Sequence, residues 1–292
     1  MSAQVLLVAL LAQAIGGLAP ILTKLALQGM GPWTMVAARQ AFGVLALLAL
    51  DRLTHHEERK REPFSRRDWG LLLLLSWAGF ALPQVLLANG IALSTGTAGA
   101  LLSPLEPIGI LIGGWLFLRE RLTPVRVLSV AIGTGGALLI VMQGAVRPEL
   151  GDPFGDGLIA LGHLSWAIYT LAAKPLLERH DVMRVSLMAV LLSIPPLFLL
   201  ALGEELSLER ALPALGWVIA LAFLATALGS WSWNWALHRM SAGTMAALIF
   251  FQPVVGLAAG FFALGEPVGA LALAGAGVIL IGVTLEAVRG DA

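Results

Sequence analysis

The amino-acid sequence predicts an all-α integral membrane protein whose ten transmembrane helices form two inverted five-helix repeats. Three observations lead to this fold class: an apolar composition, ten segments of membrane-spanning length and a motif that occurs twice. Of the 292 residues, 58% are hydrophobic and 12% are charged, and the mean hydropathy is +0.88. Soluble domains carry about 25% charged residues, so we expect the lipid bilayer to surround most of this chain.

The helices are predicted from segment length. A helix that crosses a bilayer needs about 20 predominantly apolar residues. Charged residues, glycines and prolines divide the chain into ten such segments, which we place at residues 4–28, 32–50, 69–93, 95–118, 125–143, 155–177, 185–202, 213–237, 242–264 and 267–287. The first segment lacks the basic residues that begin a signal peptide, so we expect it to be retained as a helix.

A motif in the fourth segment returns in the ninth. Pro107 precedes a pair of glycines and a Leu-x-Glu that ends at Glu120, and the same features run from Pro253 to Glu266. The same offset of 146 residues relates Pro107 to Pro253 and Glu120 to Glu266, which indicates that a membrane unit was duplicated. We therefore predict a first five-helix repeat at 1–143, a connector at 144–154 and a second repeat at 155–292.

The charges of the loops predict the orientation. Thirteen Lys and Arg residues lie in the loops after the second, fourth, sixth and eighth segments or in the C-terminal tail. Two lie in the loops on the other side of the membrane, after the fifth and the seventh segments. By the positive-inside rule, both termini are cytoplasmic. Because each repeat crosses the membrane five times, the second repeat enters it from the opposite side to the first. Inverted repeats of this kind are typical of secondary transporters that work by alternating access.

Other classes of function find little support. The net charge is zero, and the densest group of basic residues lies between the second and third segments and not along a surface stripe, which disfavours nucleic acid as a partner. The chain has no cysteine, which excludes thiol catalysis and thiolate metal sites. It has neither a Gly-x-Ser-x-Gly motif nor a zinc-binding histidine pair. We predict no catalytic residue, metal or cofactor, and an intramembrane enzyme is the least favoured interpretation.

The duplicated motif, a mid-helix proline followed by small residues and a Leu-x-Glu in a ten-helix chain, resembles the EamA branch of the drug/metabolite transporter superfamily. Within it, the chain is most similar to YddG-type bacterial exporters of aromatic and other neutral amino acids. The resemblance implies a cavity among helices one to four and six to nine, with helices five and ten at the margin. It also implies a multi-pass protein of the bacterial inner membrane that exports neutral amino acids. Export or facilitated passage of another small metabolite or drug is the alternative.

Polar residues inside the segments are candidates for function, because each is costly in hydrocarbon. Glu106 lies about ten residues into its helix and so near the bilayer midplane, at roughly 1.5 Å per residue. It is either a substrate or proton site, or one half of a structural ion pair with Arg39 or Lys24. Gln252 is its neutral counterpart in the second repeat.

The other candidates follow from charge and aromatic character. Arg39 lies roughly 10 Å inside the second helix and is suited to bind a substrate carboxylate through two nitrogens. His163, Trp166 and Tyr169 share one face of the sixth helix, where they form an aromatic wall for an apolar substrate or pack in the ordinary way. The remaining predicted substrate contacts are Asn89 and Trp231, together with Glu106 and Gln252.

Two further expectations concern movement. Pro107 and Pro253 lack the backbone N–H that a helix interior needs, so we predict broken fourth and ninth helices that act in gating. Lys174, near the end of the sixth helix, is expected to extend to the lipid headgroups. Coupling to protons and uncoupled transport are both compatible with the sequence.

Overall fold

The computed structural model describes residues 2–53, 62–94, 96–144, 151–265 and 267–289, which contain helices and no β-strand. Ten helices follow one another along the chain: α1 (Ala3–Ala26), α2 (Pro32–Leu53), α3 (Arg66–Ser76, Trp77–Ala81 and Leu82–Leu93), α4 (Gly96–Leu102 and Leu105–Phe117), α5 (Pro124–Gly144), α6 (Pro153–Leu177), α7 (Val182–Ala201), α8 (Leu208–Leu221, Ala222–Gly229 and Ser230–Arg239), α9 (Ala242–Ile249 and Phe251–Leu264) and α10 (Ala270–Arg289).

These helices confirm the predicted fold class. In the described part of the chain, nine of them are long and apolar enough to cross a membrane. The remaining helix, α6, has 25 residues but is less apolar, because it carries polar side chains such as His163, Thr170 and Lys174. Those side chains face the interior of the bundle.

Two helices begin three residues earlier than the sequence predicted, because polar caps precede their apolar runs. At the start of α3, the Ser65 backbone N–H donates to the Asp68 carboxylate (2.9 Å) and the Asp68 N–H donates to the Ser65 hydroxyl (3.2 Å), which is a capping box. At the start of α7, the Asp181 carboxylate accepts from the Arg184 N–H (3.1 Å). Each cap satisfies N–H groups that have no partner within the helix.

Four helices are interrupted near their middle. In α4 and α9 the break comes just before the motif proline, so Pro107 and Pro253 lie in the first turn of the second half-helix, where a missing N–H costs little. In α3 and α8 the interruption is a stretch of π-helix, Trp77–Ala81 and Ala222–Gly229. The apolar pattern of the sequence did not predict these π-helical stretches.

The loops meet at two ends of the bundle. At one end, Arg179 after α6 pairs with Asp68 of α3 at 2.7 Å. At the other end, the Glu204 carboxylate accepts from the backbone N–H groups of Trp33 (3.0 Å) and Thr34 (2.9 Å) at the start of α2. We call the first end the arginine-rich end, because it holds Arg66, Arg67, Arg119, Arg121, Arg179, Arg239 and Arg289. The charge asymmetry predicts that it is cytoplasmic.

Packing differs between the two ends. Near the arginine-rich end a continuous hydrophobic core joins both halves of the chain and includes residues of α3, α4, α6, α7, α8 and α9. All residues from Ala242 to Phe250, in the first half of α9, are buried there. The core nearer the opposite end draws its buried residues from α1, α2, α3, α7 and α8. Packing is therefore denser at the arginine-rich end, which we also call the closed end.

The fifth and tenth helices lie at the margin of the bundle. They pack along each other with their backbones in close approach: a Cβ added to Gly136 would lie 2.7 Å from the Gly275 carbonyl oxygen, and one added to Gly275 would lie 2.6 Å from that of Gly136. Small residues permit such contact between membrane helices. This position at the margin is the one that the family resemblance implied for α5 and α10.

Candidate functional site

A central cavity of about 350 Å³ lies between the helices at mid-depth. Seven helices contribute to it, namely α1, α2, α3, α4, α6, α8 and α9. Its polar lining consists of Thr23, Arg39, Gln84, Glu106, Ser230 and Gln252, and its aromatic lining of Phe80, Trp166, Tyr169 and Trp233. The basic and the acidic residue of this lining, Arg39 and Glu106, were both predicted from the sequence.

Glu106 lies where the central cavity adjoins a second cavity of about 270 Å³, and it lines both. It occupies the first turn of the second half of α4, so the break in this helix sets its depth. Among the described residues, no side chain forms a hydrogen bond or ion pair with the Glu106 carboxylate, and none links it to Arg39. The structure thus gives no support to the structural ion pair with Arg39 that the sequence left open.

Arg39 enters the cavity from α2. Its Nε donates to the Thr226 hydroxyl of α8 at 3.0 Å. In the part of the chain that the structure describes, the two terminal nitrogens of this guanidinium have no protein acceptor. A guanidinium presents its donors as a planar fork that matches a carboxylate, so Arg39 is suited to bind an anionic group in the cavity.

An aromatic wall forms one side of the cavity. The rings of Phe80, Trp166 and Tyr169 meet edge to face, with centroids 5.7–6.2 Å apart, which is the spacing that aromatic pairs prefer. The Tyr169 hydroxyl donates to Asn234 at 3.0 Å, and the Asn234 amide donates to the Ser186 hydroxyl at 2.9 Å. These buried hydrogen bonds fix the wall against the closed end.

The second cavity contains further predicted residues of the site. His163, Pro107, Pro253 and Gln252 line it together with Glu106. The His163 Nε2 lies 3.1 Å from the Gly99 carbonyl oxygen of α4. The Gln252 amide donates to the side-chain oxygen of Gln13 at 2.8 Å, which ties α9 to α1. The broken helices and the titratable groups therefore meet in one region.

Two predicted contacts lie outside both cavities. Asn89 is exposed and its amide donates to the Val85 carbonyl of its own helix at 2.7 Å. Trp231 packs on Trp235, with ring centroids 6.3 Å apart, and Trp233 lines the cavity in its place. A π-helical turn contains more residues than an α-helical turn. The π-helical stretch just before these tryptophans therefore rotates the face of α8 that points toward the cavity.

Sequence reasoning missed several lining residues. Gln84, like Asn89, is a polar side chain inside an apolar segment. The same criterion, applied to every polar residue in the segments, would have identified it. Phe80 and Trp233 carry no such signal, since phenylalanine and tryptophan are common in any membrane helix.

The turn between α8 and α9 closes the arginine-rich end. The Lys174 ammonium donates to the carbonyl oxygens of Leu237 (2.7 Å) and Met240 (2.8 Å). Lys174 therefore caps the end of α8 and does not extend to the headgroups as the sequence suggested. The Glu120 carboxylate accepts from the backbone N–H groups of Ala242 (2.7 Å) and Gly243 (3.0 Å), and so caps the start of α9.

The described residues contain no group of acidic or histidine side chains that could hold a metal ion. What they do form is a bundle of membrane-length helices around a cavity that is lined by one basic and one acidic side chain, with a densely packed core at one end. Together, this fold and this site define the class of the protein as a membrane transporter.

The chain belongs to the EamA-like transporter family, whose profile matches residues 3–142 and 153–287. It is a multi-pass membrane protein that transports a small-molecule substrate, and it is not an enzyme.

Similar proteins agree with this assignment. The chain is 26% identical over 288 residues to a probable amino-acid metabolite efflux pump of Escherichia coli, covering 95% of this chain and 93% of that one. It is 28% identical over 223 residues to a probable terminal-alkyne amino-acid exporter of Streptantibioticus cattleyicolor, covering 75% and 73%. A protein crystal structure with 17% identity superposes with a TM-score of 0.84 over 99% of this chain and 98% of that one, which supports the fold alone.

Proposed function

We propose that this transporter exports neutral amino acids with bulky apolar side chains by alternating access, from a bacterial cytoplasm across the inner membrane. The observation that carries the proposal is the combination of Arg39, Glu106 and the aromatic wall in one central cavity. A zwitterion brings one carboxylate and one ammonium, so a site with a single cation and a single acid matches its charges. The aromatic faces accept the apolar side chain and attract the ammonium.

The size of the cavity supports a small substrate. At about 350 Å³ it lies near the lower end of ligand pockets, which run from about 300 to 1,000 Å³. A nucleotide sugar would bring more negative charge than Arg39 offsets. The names of the relatives from Escherichia coli and Streptantibioticus cattleyicolor, which refer to amino-acid efflux and export, support the same substrate class.

The closed arginine-rich end supports a cycle with two states. If that end is cytoplasmic, the structure corresponds to the state in which the site faces outward. Exchange of roles between the inverted repeats would then open the cytoplasmic side. Glu106, an acid without a protein partner among the described residues, is suited to hold either the substrate ammonium or a proton that enters as the substrate leaves.

The test is counterflow in proteoliposomes with the purified chain. We expect unlabelled phenylalanine and leucine inside the vesicles to drive uptake of labelled phenylalanine, and glycine to do so weakly. Glu106→Gln and Arg39→Gln should each lower this uptake at least tenfold, because an interaction with a charged group contributes about 1.5–3 kcal/mol. Asn89→Ala is the control, since this polar residue lies outside the cavity.

Coupling is tested in the same vesicles. An imposed pH gradient should accelerate wild-type transport, and Glu106→Gln should abolish the acceleration. Wild-type counterflow of a drug or another metabolite, without counterflow of any amino acid, would refute the proposed substrate class. Equal flux with and without the gradient would instead indicate an uncoupled facilitator.

A further inference from the structure

The π-helical stretches of α3 and α8 occupy corresponding places in the two halves. Trp77 and Ala222, their first residues, lie 145 positions apart, against the 146 that separate Pro107 from Pro253. Both stretches reach the central cavity, which Phe80 of the first and Ala225 of the second line. Stretches of π-helix occur frequently at functional sites.

Thr226 is the polar residue of the second stretch. It is fully buried, and its hydroxyl accepts the Nε–H of Arg39 at 3.0 Å. Its own carbonyl accepts from the Ser230 hydroxyl. Gly43 of α2 faces it so closely that a Cβ there would lie 2.9 Å from the Thr226 Cβ. The threonine is thus enclosed on the side of α2.

The contact with Thr226 determines how Arg39 is presented. A guanidinium carries five N–H donors in one plane. When Nε is bound to Thr226, the orientation of the plane is restricted and the four donors on the terminal nitrogens remain. Because Arg39 lines the cavity and its terminal nitrogens have no acceptor in the described part of the protein, these donors are available to a ligand there.

We propose that Thr226 is a positioning residue, which orients the Arg39 guanidinium so that its terminal nitrogens bind the substrate carboxylate in two-point geometry. This inference rests on the proposed function, since it takes the carboxylate from the amino-acid substrate. Thr226 itself touches Arg39 and not the substrate. Its removal should therefore weaken recognition of the carboxylate and leave recognition of the ring and the ammonium intact.

The experiment compares two ligands that differ only in the carboxylate, phenylalanine and phenethylamine. Thr226→Val keeps the shape of the side chain and removes the acceptor. We expect it to raise the KM for phenylalanine about tenfold, the effect of one hydrogen bond to a charged group, with little change in kcat. Inhibition by phenethylamine should not change, and Thr226→Ser should restore the wild-type KM. Thr170→Val is the control, because the hydroxyl of this buried threonine donates to the backbone carbonyl of Trp166 in its own helix.

Each outcome decides one question. A parallel loss of affinity for both ligands, or a serine variant as impaired as the valine variant, would overturn the positioning role while the proposed function stands. A wild-type chain that neither transports nor binds phenylalanine would refute the proposed function and this inference with it. Should the valine variant not be recovered from the membrane, Thr226→Ala removes the same acceptor and gives the same readout.

Discussion

Lys174 and Glu120 secure the turn between α8 and α9 from its two sides. The ammonium binds the carbonyl oxygens that end α8, at 2.7 and 2.8 Å, and the carboxylate binds the N–H groups that begin α9, at 2.7 and 3.0 Å. Each charge has the sign that stabilises its helix end. Because Lys174 belongs to α6 and Glu120 follows α4, we expect opening of the arginine-rich end to separate the turn from one of the two residues.

We therefore predict that Lys174→Met or Glu120→Gln favours opening of the arginine-rich end. Loss of one charge-assisted interaction, about 1.5 kcal/mol, shifts an equilibrium roughly tenfold. The measurement is the labelling rate of Ala173→Cys, a buried position in a chain without other cysteines, by a thiol reagent applied on that side. Arg121→Gln, an exposed change in the same loop as Glu120, is the control. Unchanged labelling would mean that the turn is held without this pair.

We predict that the aromatic wall makes the transporter prefer amino acids with large apolar side chains. Trp166→Ala should lower kcat/KM for phenylalanine at least tenfold, since burial of a large apolar side chain contributes about 1.5–3 kcal/mol, and should affect alanine much less. Trp231→Ala is a matched control, because this tryptophan packs on Trp235 outside the cavity. An equal loss for both amino acids in Trp166→Ala would indicate that the wall serves packing.

We predict that the motif prolines take part in the conformational change of transport. Pro107→Ala or Pro253→Ala restores a backbone donor at the break of α4 or α9 and favours a continuous helix. We expect transport to fall severalfold while the amount of folded protein in the membrane stays the same. The measurement is counterflow normalised to the monodisperse fraction in detergent. Full transport by both variants would contradict gating at these positions.

We predict that an ion pair between α5 and α10 stabilises the folded protein. Arg126 of α5 and Glu286 of α10 are buried and form an ion pair at 3.3 Å, and both bind the Thr244 hydroxyl. Removal of one member of a buried pair typically costs about 3–5 kcal/mol. We expect Glu286→Ala to lower the unfolding temperature in detergent by many degrees. Arg289→Ala, at an exposed position one turn later, should leave the unfolding temperature nearly unchanged.

The orientation is tested by two cysteines. Arg67 and Glu205 are exposed at opposite ends of the bundle. By the positive-inside rule, Arg67→Cys should be labelled by an impermeant reagent only from the cytoplasm, and Glu205→Cys only from outside. Labelling of both from one side would contradict the predicted topology.

Much of the fold was accessible from the sequence because the bilayer imposes a local rule. About 20 apolar residues are needed for each crossing, so the helices could be counted without knowledge of their contacts. The repeated proline motif and the family follow from residues close together in the chain. Glu106 and Arg39 were found in the same way, since an ionisable residue inside an apolar segment is costly wherever the helix packs.

Only the tertiary structure decided which helix faces meet. Trp233 lines the cavity and Trp231 does not, because the π-helical stretch Ala222–Gly229 rotates the rest of α8. The partners of Arg39 and Lys174 lie 187 and 63 or more residues away along the chain, beyond any local pattern. Composition and periodicity constrain one helix at a time, whereas the site depends on how seven helices pack around a common space.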